Sequence, residues 1–270
     1  MSRWGRRLAI AIGALLVAFC IGAVLRAPVC MPFDLVWNAL PAIDAPDLRP
    51  PADGKVRVVF LQHGLWRTEY SLGRLERSLR QNGYEVVNSG YPSTEDTIEG
   101  HAARLRDVVE ARFAASPVDE VAFVGHSMGG LVIEEYLRRD DAREPWACVY
   151  LATPHRGAVL ADKRRHWWLF RLAMGELAAA QLATTDAFHQ RPIPFGDRSG
   201  TLVGDIGDGN GSIPGHDDGT VGVLEATFDG AAASLVVPCG HTSIVVREAV
   251  LRQVMQFLRH GAFSAGAQGG

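Results

Sequence analysis

The sequence has few cysteines and very few lysines, and the cysteine spacing and the net charge argue against a metal site and a nucleic-acid partner. Four cysteines occur in 270 residues, with no Cys-x-x-Cys pair and no spacing typical of metal ligands. Only two lysines occur, arginine supplies the other positive charges, and the net charge is −3. No basic stripe with interleaved aromatic residues is present, so we expect no nucleic-acid partner. We also expect no cofactor and no metal ion.

A long apolar run lies near the N-terminus. Leu8–Leu25 is 18 consecutive residues without a charged group, and Arg3, Arg6 and Arg7 precede it. This length fits a membrane-spanning helix, and the basic flank predicts that the remaining chain lies outside the cytoplasm, in the periplasm. A cleaved signal peptide, which would lead to secretion, and a buried soluble helix are the alternatives. We interpret residues 1–26 as a membrane anchor or signal segment.

The rest of the chain divides into segments that differ in composition. Residues 27–54 are rich in proline and lack periodicity, which predicts a linker, with packing of part of it on the domain as the alternative. A globular domain should span residues 55–261, with a frayed tail at 262–270. Residues 158–195 interrupt the domain pattern with a long, helix-prone segment that contains the aromatic cluster at 167–170. We predict that this segment is a lid over an apolar site, with a core helix as the alternative.

Short apolar runs alternate with amphipathic helices along the domain. This alternation predicts an α/β fold with a mainly parallel sheet of about six strands and helices on both faces. The predicted strands are Val56–Leu61, Tyr84–Asn88, Val121–Val124, Ala147–Leu151, Thr201–Val203 and Leu235–Val237.

The stretch VAFVGHSMGG, residues 121–130, combines a buried strand, a Gly-x-Ser-x-Gly turn and the start of a helix. This context is typical of a nucleophile elbow, in which the serine hydroxyl projects from a strained turn. Gly125 and Gly129 would let the strand and helix pack tightly around Ser127. A tight turn without chemistry is the alternative.

A serine nucleophile needs a histidine base that a carboxylate orients. In this fold the chain order is serine, acid, histidine, which favours His241 because it follows the last predicted strand. His260 lies at the far end of the closing helix. Asp205 and Asp218 both lie in the glycine-rich stretch before His241, and spacing alone does not separate them. A solvated loop or a calcium site is the alternative for that stretch.

A tetrahedral intermediate needs backbone donors for its oxyanion. The N–H of Met128, directly after the nucleophile, is one candidate. The N–H of Leu65, in the loop after the first strand, is the second. His63 comes too early in the chain to be the base, so we expect it to bond loop backbone. His126 and His155 are interpreted as residues that line the wall of the site or pack beside it.

These segments together resemble the α/β-hydrolase family, and within it the bacterial lipases and esterases. The resemblance implies an α/β-hydrolase fold and a serine hydrolase that cleaves small-molecule or lipid esters through an acyl-enzyme on Ser127. It also favours Asp218 as the acid, since bacterial lipases of this kind carry the acid in an Asn-Asp-Gly or Asp-Asp-Gly turn followed by a β-branched residue, and it supports Leu65. An acyltransferase with the same triad and a membrane-tethered binding protein without turnover are the alternatives. The matching segments are LQHGLWRT (61–68), GYEVVNSGYPS (83–93), VGHSMGG (124–130), LATPHRGA (151–158), DDGTV (217–221) and GHTSIVV (240–246).

Overall fold

A computed structural model of the chain describes residues 31–164 and 177–264. Six strands form one parallel sheet in the order β2-β1-β3-β4-β5-β6. The predicted fold class is therefore confirmed, including the strand number. The strands are β1 Arg57–Gln62, β2 Glu85–Asn88, β3 Glu120–His126, β4 Ala147–Leu151, β5 Ser199–Gly204 and β6 Ala233–Val237.

The α-helices in the described ranges differ widely in length. Those that follow β1, β2 and β3 make the crossover connections that parallel strands require. The helices are α1 Met31–Asn38, α2 Gly73–Gln81, α3 Ile98–Ala115, α4 Met128–Leu137, α5 Val159–Arg164, α6 Leu177–Gln181 and α7 Glu248–His260.

The sheet separates two hydrophobic layers because side chains alternate along each strand. On β1, Val59 and Leu61 belong to the layer that contains α2 and α7, whereas Val58 and Phe60 belong to the layer with α3 and α4. Helices therefore cover both faces, as predicted. The carboxyl ends of the parallel strands share one edge of the sheet, where ligands bind in such folds.

The predicted linker, residues 27–54, packs on the domain in its described part. It contains α1, and Ile43 and Ala45 are buried in the same core layer as α2. Asn82, just after α2, holds this segment: its Oδ1 accepts the Ala45 N–H at 2.8 Å, and its Nδ2 donates to Ile43 O at 2.7 Å. The stretch between α1 and β1 packs through individual side chains, which explains why its sequence has no periodicity. The hydrophobic core thus begins before residue 55.

Several predictions fall partly or wholly outside the described residues. The apolar run Leu8–Leu25 lies outside them, and no helix within 31–164 or 177–264 is long and apolar enough to cross a membrane. In the predicted lid, the aromatic cluster at 167–170 also lies outside, whereas Phe188 is buried in the layer of α3 and α4. Phe263, at the start of the predicted tail, packs against the core.

Replacing Asn82 tests how firmly the segment before β1 is held. The Asn82→Ala variant leaves the buried Ala45 N–H and Ile43 O without partners, so we expect the free energy of unfolding to fall by about 2–4 kcal/mol. Urea denaturation followed by circular dichroism measures this change. The exposed carboxamide of Gln190 provides the control, since Gln190→Ala should change stability by less than about 0.5 kcal/mol. Equal stabilities for the two variants would contradict the packing described.

Candidate active site

Ser127 lies at a sharp turn between β3 and α4. Its φ of 53° and ψ of −128° are values that non-glycine residues rarely adopt, and such strain persists only where the surroundings enforce it. The Ser127 N–H donates to Leu151 O, at the end of β4, at 2.9 Å. Met128 already begins α4, so strand and helix meet at a single residue. The Ser127 side chain is partly exposed although its neighbours on both sides are buried.

Glycine is required where the elements around Ser127 approach one another. A Cβ on Gly125 would lie 2.6 Å from Gly130 Cα, and a Cβ on Gly129 would lie 2.3 Å from Gln62 O. Both distances are far shorter than van der Waals contact. The turn therefore needs glycine at both positions flanking the His-Ser-Met triplet, and α4 lies directly against the end of β1.

The structure brings together Ser127, His241 and Asp218, which lie far apart in the sequence. His241 Nε2 is 3.0 Å from Ser127 Oγ, and His241 Nδ1 is 2.7 Å from Asp218 Oδ2. An ionised carboxylate only accepts hydrogen bonds, so Nδ1 donates to Asp218 and the neutral imidazole has a free lone pair at Nε2. The Ser127 hydroxyl then donates to Nε2. This arrangement can accept the serine proton.

Asp218 is held by the backbone of its own turn. It is buried, and its Oδ1 accepts the N–H groups of Thr220 at 2.9 Å and Val221 at 2.7 Å. The backbone N–H of His241 also donates to Asp218 O at 2.8 Å. This bond joins the turn that contains Asp218 to the loop that follows β6. The carboxylate is therefore fixed in position, with its second oxygen facing the imidazole.

Asp205, the other acid candidate, lies elsewhere. Its Oδ2 is 2.8 Å from Nδ1 of His216, an exposed side chain, and this pairing lowers the pKa of Asp205. Asp217 bonds its own loop, accepting the N–H groups of Gly219 and Asn210. Among the described residues, no three His, Cys, Asp or Glu side chains are arranged to hold a metal ion.

The two predicted oxyanion donors lie in backbone segments that adjoin Ser127. Met128 is the first residue of α4, where a backbone N–H has no partner within the helix and the helix dipole favours negative charge. Leu65 follows Gly64, which packs directly on the turn: a Cβ on Gly64 would lie 3.0 Å from Ser127 Cβ. The loop after β1 thus contacts the elbow, with Leu65 one residue beyond the contact.

His63 holds the loop that contains Leu65. Its Nδ1 donates to Gly64 O at 3.0 Å, and its Nε2 accepts the Tyr91 N–H at 3.3 Å. The ring also stacks on Tyr91 with centroids 4.3 Å apart. Burial lowers the pKa of His63 to about 4, which fits a neutral ring with one donor and one acceptor. As the sequence predicts, His63 bonds loop backbone.

His126 and His155 are buried, in agreement with their interpretation as packing residues. His126 Nε2 donates to His241 O at 3.0 Å and so supports the loop that carries His241. Burial, with the neighbouring His241 as a smaller contribution, lowers the pKa of His126 well below its usual value. His155 Nδ1 lies 2.6 Å from Oε1 of Glu134, a buried carboxylate in α4.

Sequence reasoning missed a buried polar cluster beside the same loop. Asp34 in α1 contacts Arg67 and Thr68, two and three residues after Leu65. Its signal was a single acidic residue within the apolar segment MPFDLVW. This pattern indicates that Asp34 needs a hydrogen-bond or ion-pair partner if the segment is buried. It does not indicate that the partners are Arg67 and Thr68.

Known proteins share this architecture. The chain matches the alpha/beta hydrolase family over residues 58–253. A mature lipase from Bacillus licheniformis has a TM-score of 0.57 and 21% identity, with 77% of this chain and 92% of that chain covered. A phospholipase from Legionella pneumophila has a TM-score of 0.53 and 17% identity, with coverages of 63% and 45%. A type II thioesterase from the borrelidin biosynthetic cluster has a TM-score of 0.53 and 22% identity, covering 78% and 94%.

The structural similarities, all below 25% identity, show a common fold. The family match extends over most of the chain, from β1 into α7. It includes the elbow and the loops that carry Asp218 and His241. The protein therefore belongs to the alpha/beta hydrolase family.

Proposed function

We propose that the protein is a serine hydrolase that cleaves carboxylic esters through an acyl-enzyme on Ser127. The observation that carries the proposal is the hydrogen-bonded series Ser127–His241–Asp218, with distances of 3.0 and 2.7 Å, at a strained turn. A scaffold that only binds ligands has no need for a lone pair at His241 Nε2 directed at a serine hydroxyl.

In the acylation step, Ser127 Oγ attacks the ester carbonyl carbon while its proton passes to His241 Nε2. The carbonyl oxygen becomes an oxyanion, which accepts hydrogen bonds from the Leu65 and Met128 N–H groups. Asp218 stabilises the imidazolium that forms. When the intermediate collapses, the carbon–oxygen bond to the leaving alcohol breaks, and Nε2–H protonates that oxygen. The acyl group stays on Ser127.

Water completes the cycle by the same route. His241 Nε2 accepts a proton as the water oxygen attacks the acyl carbonyl, and a second tetrahedral intermediate forms in the same oxyanion hole. Its collapse breaks the bond to Ser127 Oγ, which regains the proton from Nε2. The carboxylic acid then leaves and the enzyme is restored. An acyltransferase would use another alcohol in place of water, with the same residues.

The substrate class is proposed as small-molecule or lipid esters. The similar structures include a lipase and a phospholipase, and the apolar N-terminal run would place the domain beside lipids. We propose that Leu8–Leu25 anchors the protein in a membrane, with the catalytic domain on the periplasmic side. The exposed side chains of Phe33, Leu35 and Val36 on α1 support this location, because exposed apolar clusters favour contact with lipid or protein.

Labelling with a fluorophosphonate probe tests the nucleophile. We expect covalent labelling of the wild-type chain and none of Ser127→Ala, because the probe reacts with an activated serine hydroxyl. In-gel fluorescence and intact mass measure the adduct. Ser116→Ala, which changes an exposed serine directly after α3, is the matched control and should label like wild type. Equal labelling of Ser127→Ala and wild type would refute the assignment.

Asparagine substitutions distinguish the two acid candidates. Asp218→Asn should lower kcat for p-nitrophenyl butyrate by about 10³- to 10⁴-fold, because an amide cannot orient and stabilise the imidazolium as a carboxylate does. Asp205→Asn should leave kcat nearly unchanged, since the Asp205 side chain bonds His216 and the Gly207 N–H and not His241. Steady-state kinetics on both variants show which aspartate acts on His241. The reverse pattern would assign the acid to Asp205.

Cell fractionation tests the anchor. The full-length protein should remain in the membrane pellet after an alkaline carbonate wash, whereas a chain lacking Leu8–Leu25 should not, because about 18–20 apolar residues are needed to span the bilayer. A variant without residues 265–270 is the control and should fractionate like the full chain. Recovery of the wild-type protein as a shortened, soluble periplasmic or secreted form would instead indicate a cleaved signal peptide.

A further inference from the structure

A fully buried carboxylate in α1 contacts the loop that follows β1. The Asp34 side chain has 0% exposure. Its Oδ2 accepts hydrogen bonds from the N–H and the Oγ1–H of Thr68, each at 2.9 Å. Its Oδ1 lies 2.5 Å from Nη2 of Arg67, which forms a buried ion pair. One carboxylate therefore holds two consecutive residues of the loop.

Stability alone is a poor explanation for this pair, because desolvation of two buried charges offsets much of their attraction. Burial raises the pKa of Asp34, and the nearby Arg67 acts in the opposite direction. Trp37, about one turn along α1, contacts the same guanidinium, with Arg67 Cζ 4.6 Å from the ring centroid. Two residues of α1 thus fix the position of Arg67. These contacts hold the Arg67 side chain in one position, in addition to covering apolar surface.

The residues that α1 holds come directly after the turn that contains Leu65. The Arg67 N–H donates to Gly64 O at 3.2 Å and closes this turn. Within it, Trp66 has a φ of 65°, in the left-handed region that tryptophan rarely adopts. A strained turn keeps its shape only if its ends are held. Gly64 packs on Ser127 at one end, and α1 holds the other.

We propose that Asp34 is a positioning residue for the oxyanion hole, holding the turn that presents the Leu65 N–H to the tetrahedral intermediate. The proposal rests on the proposed serine hydrolase function. Asp34 does not contact the reacting atoms and acts only through the loop. The Leu65 hydrogen bond strengthens as charge develops on the carbonyl oxygen. Displacing this donor therefore raises the barrier without weakening substrate binding.

The variant Asp34→Asn tests this role, because it keeps the volume of the side chain and removes its charge. We expect kcat for p-nitrophenyl butyrate to fall about 10- to 100-fold, with KM within about twofold of wild type. The rate of fluorophosphonate labelling should fall in parallel, since the phosphoryl oxygen occupies the same hole. Kinetics are measured at a temperature where circular dichroism shows the variant fully folded.

Asn82→Ala is the matched control, because Asn82 holds the same N-terminal segment at a point away from the loop. It should lose stability yet keep the wild-type kcat at the same temperature. Equal losses of kcat in the two variants would show a general structural effect and overturn the proposal, as would an unchanged kcat in Asp34→Asn. An inactive, unlabelled wild type would instead refute the proposed function itself.

Thr68→Val is a milder variant that decides the question if Asp34→Asn fails to fold. It removes one hydrogen bond to the Asp34 carboxylate and leaves the Thr68 N–H bond and the ion pair with Arg67 in place. We expect kcat to fall about 2- to 5-fold with KM unchanged, because one of three contacts is lost. A kcat equal to that of wild type would overturn the proposal.

Discussion

The structure of the site depends on one constraint, the abrupt passage from β3 to α4 at Ser127. A left-handed backbone at this residue lets the strand end and the helix begin without a connecting loop. The cost of this conformation, about 1–3 kcal/mol, is offset by packing that only glycine allows at Gly125 and Gly129. The same passage puts the N-terminus of α4 beside the hydroxyl. The strained backbone at Ser127 and the positive end of the α4 dipole beside its hydroxyl therefore both result from this abrupt passage.

The buried histidines around the site limit where positive charge can form. Burial lowers the pKa of His63 to about 4 and lowers that of His126 well below its usual value, so both rings are neutral near pH 7. The His126 ring lies 5.0 Å from the His241 ring. A charge on His126 would repel the imidazolium that the proposed mechanism forms on His241. By staying neutral, His126 supports the loop of His241 without opposing proton transfer.

Local patterns were sufficient to predict the sheet, because short apolar runs and glycine-rich turns are properties of neighbouring residues. The elbow and the position of His241 after the last strand followed in the same way. The choice between Asp205 and Asp218 depended on a family resemblance, since their difference lies in contacts: an exposed histidine for one, two backbone N–H groups and His241 for the other. The contact between Asp34 and Thr68 joins residues 34 positions apart. A pattern of neighbouring residues in the sequence cannot predict such a contact.

The all-parallel order of the strands has a consequence for when activity arises. Ser127 and His241 are 114 positions apart, and the loop of His241 follows β6, which lies beside β5 at the edge of the sheet formed by the described strands. Contacts of such long range form late and slowly in folding. A nascent or partly assembled chain therefore lacks the contact between Ser127 and His241. The proposed activity would arise only after β6 has joined the sheet, so the topology itself delays it.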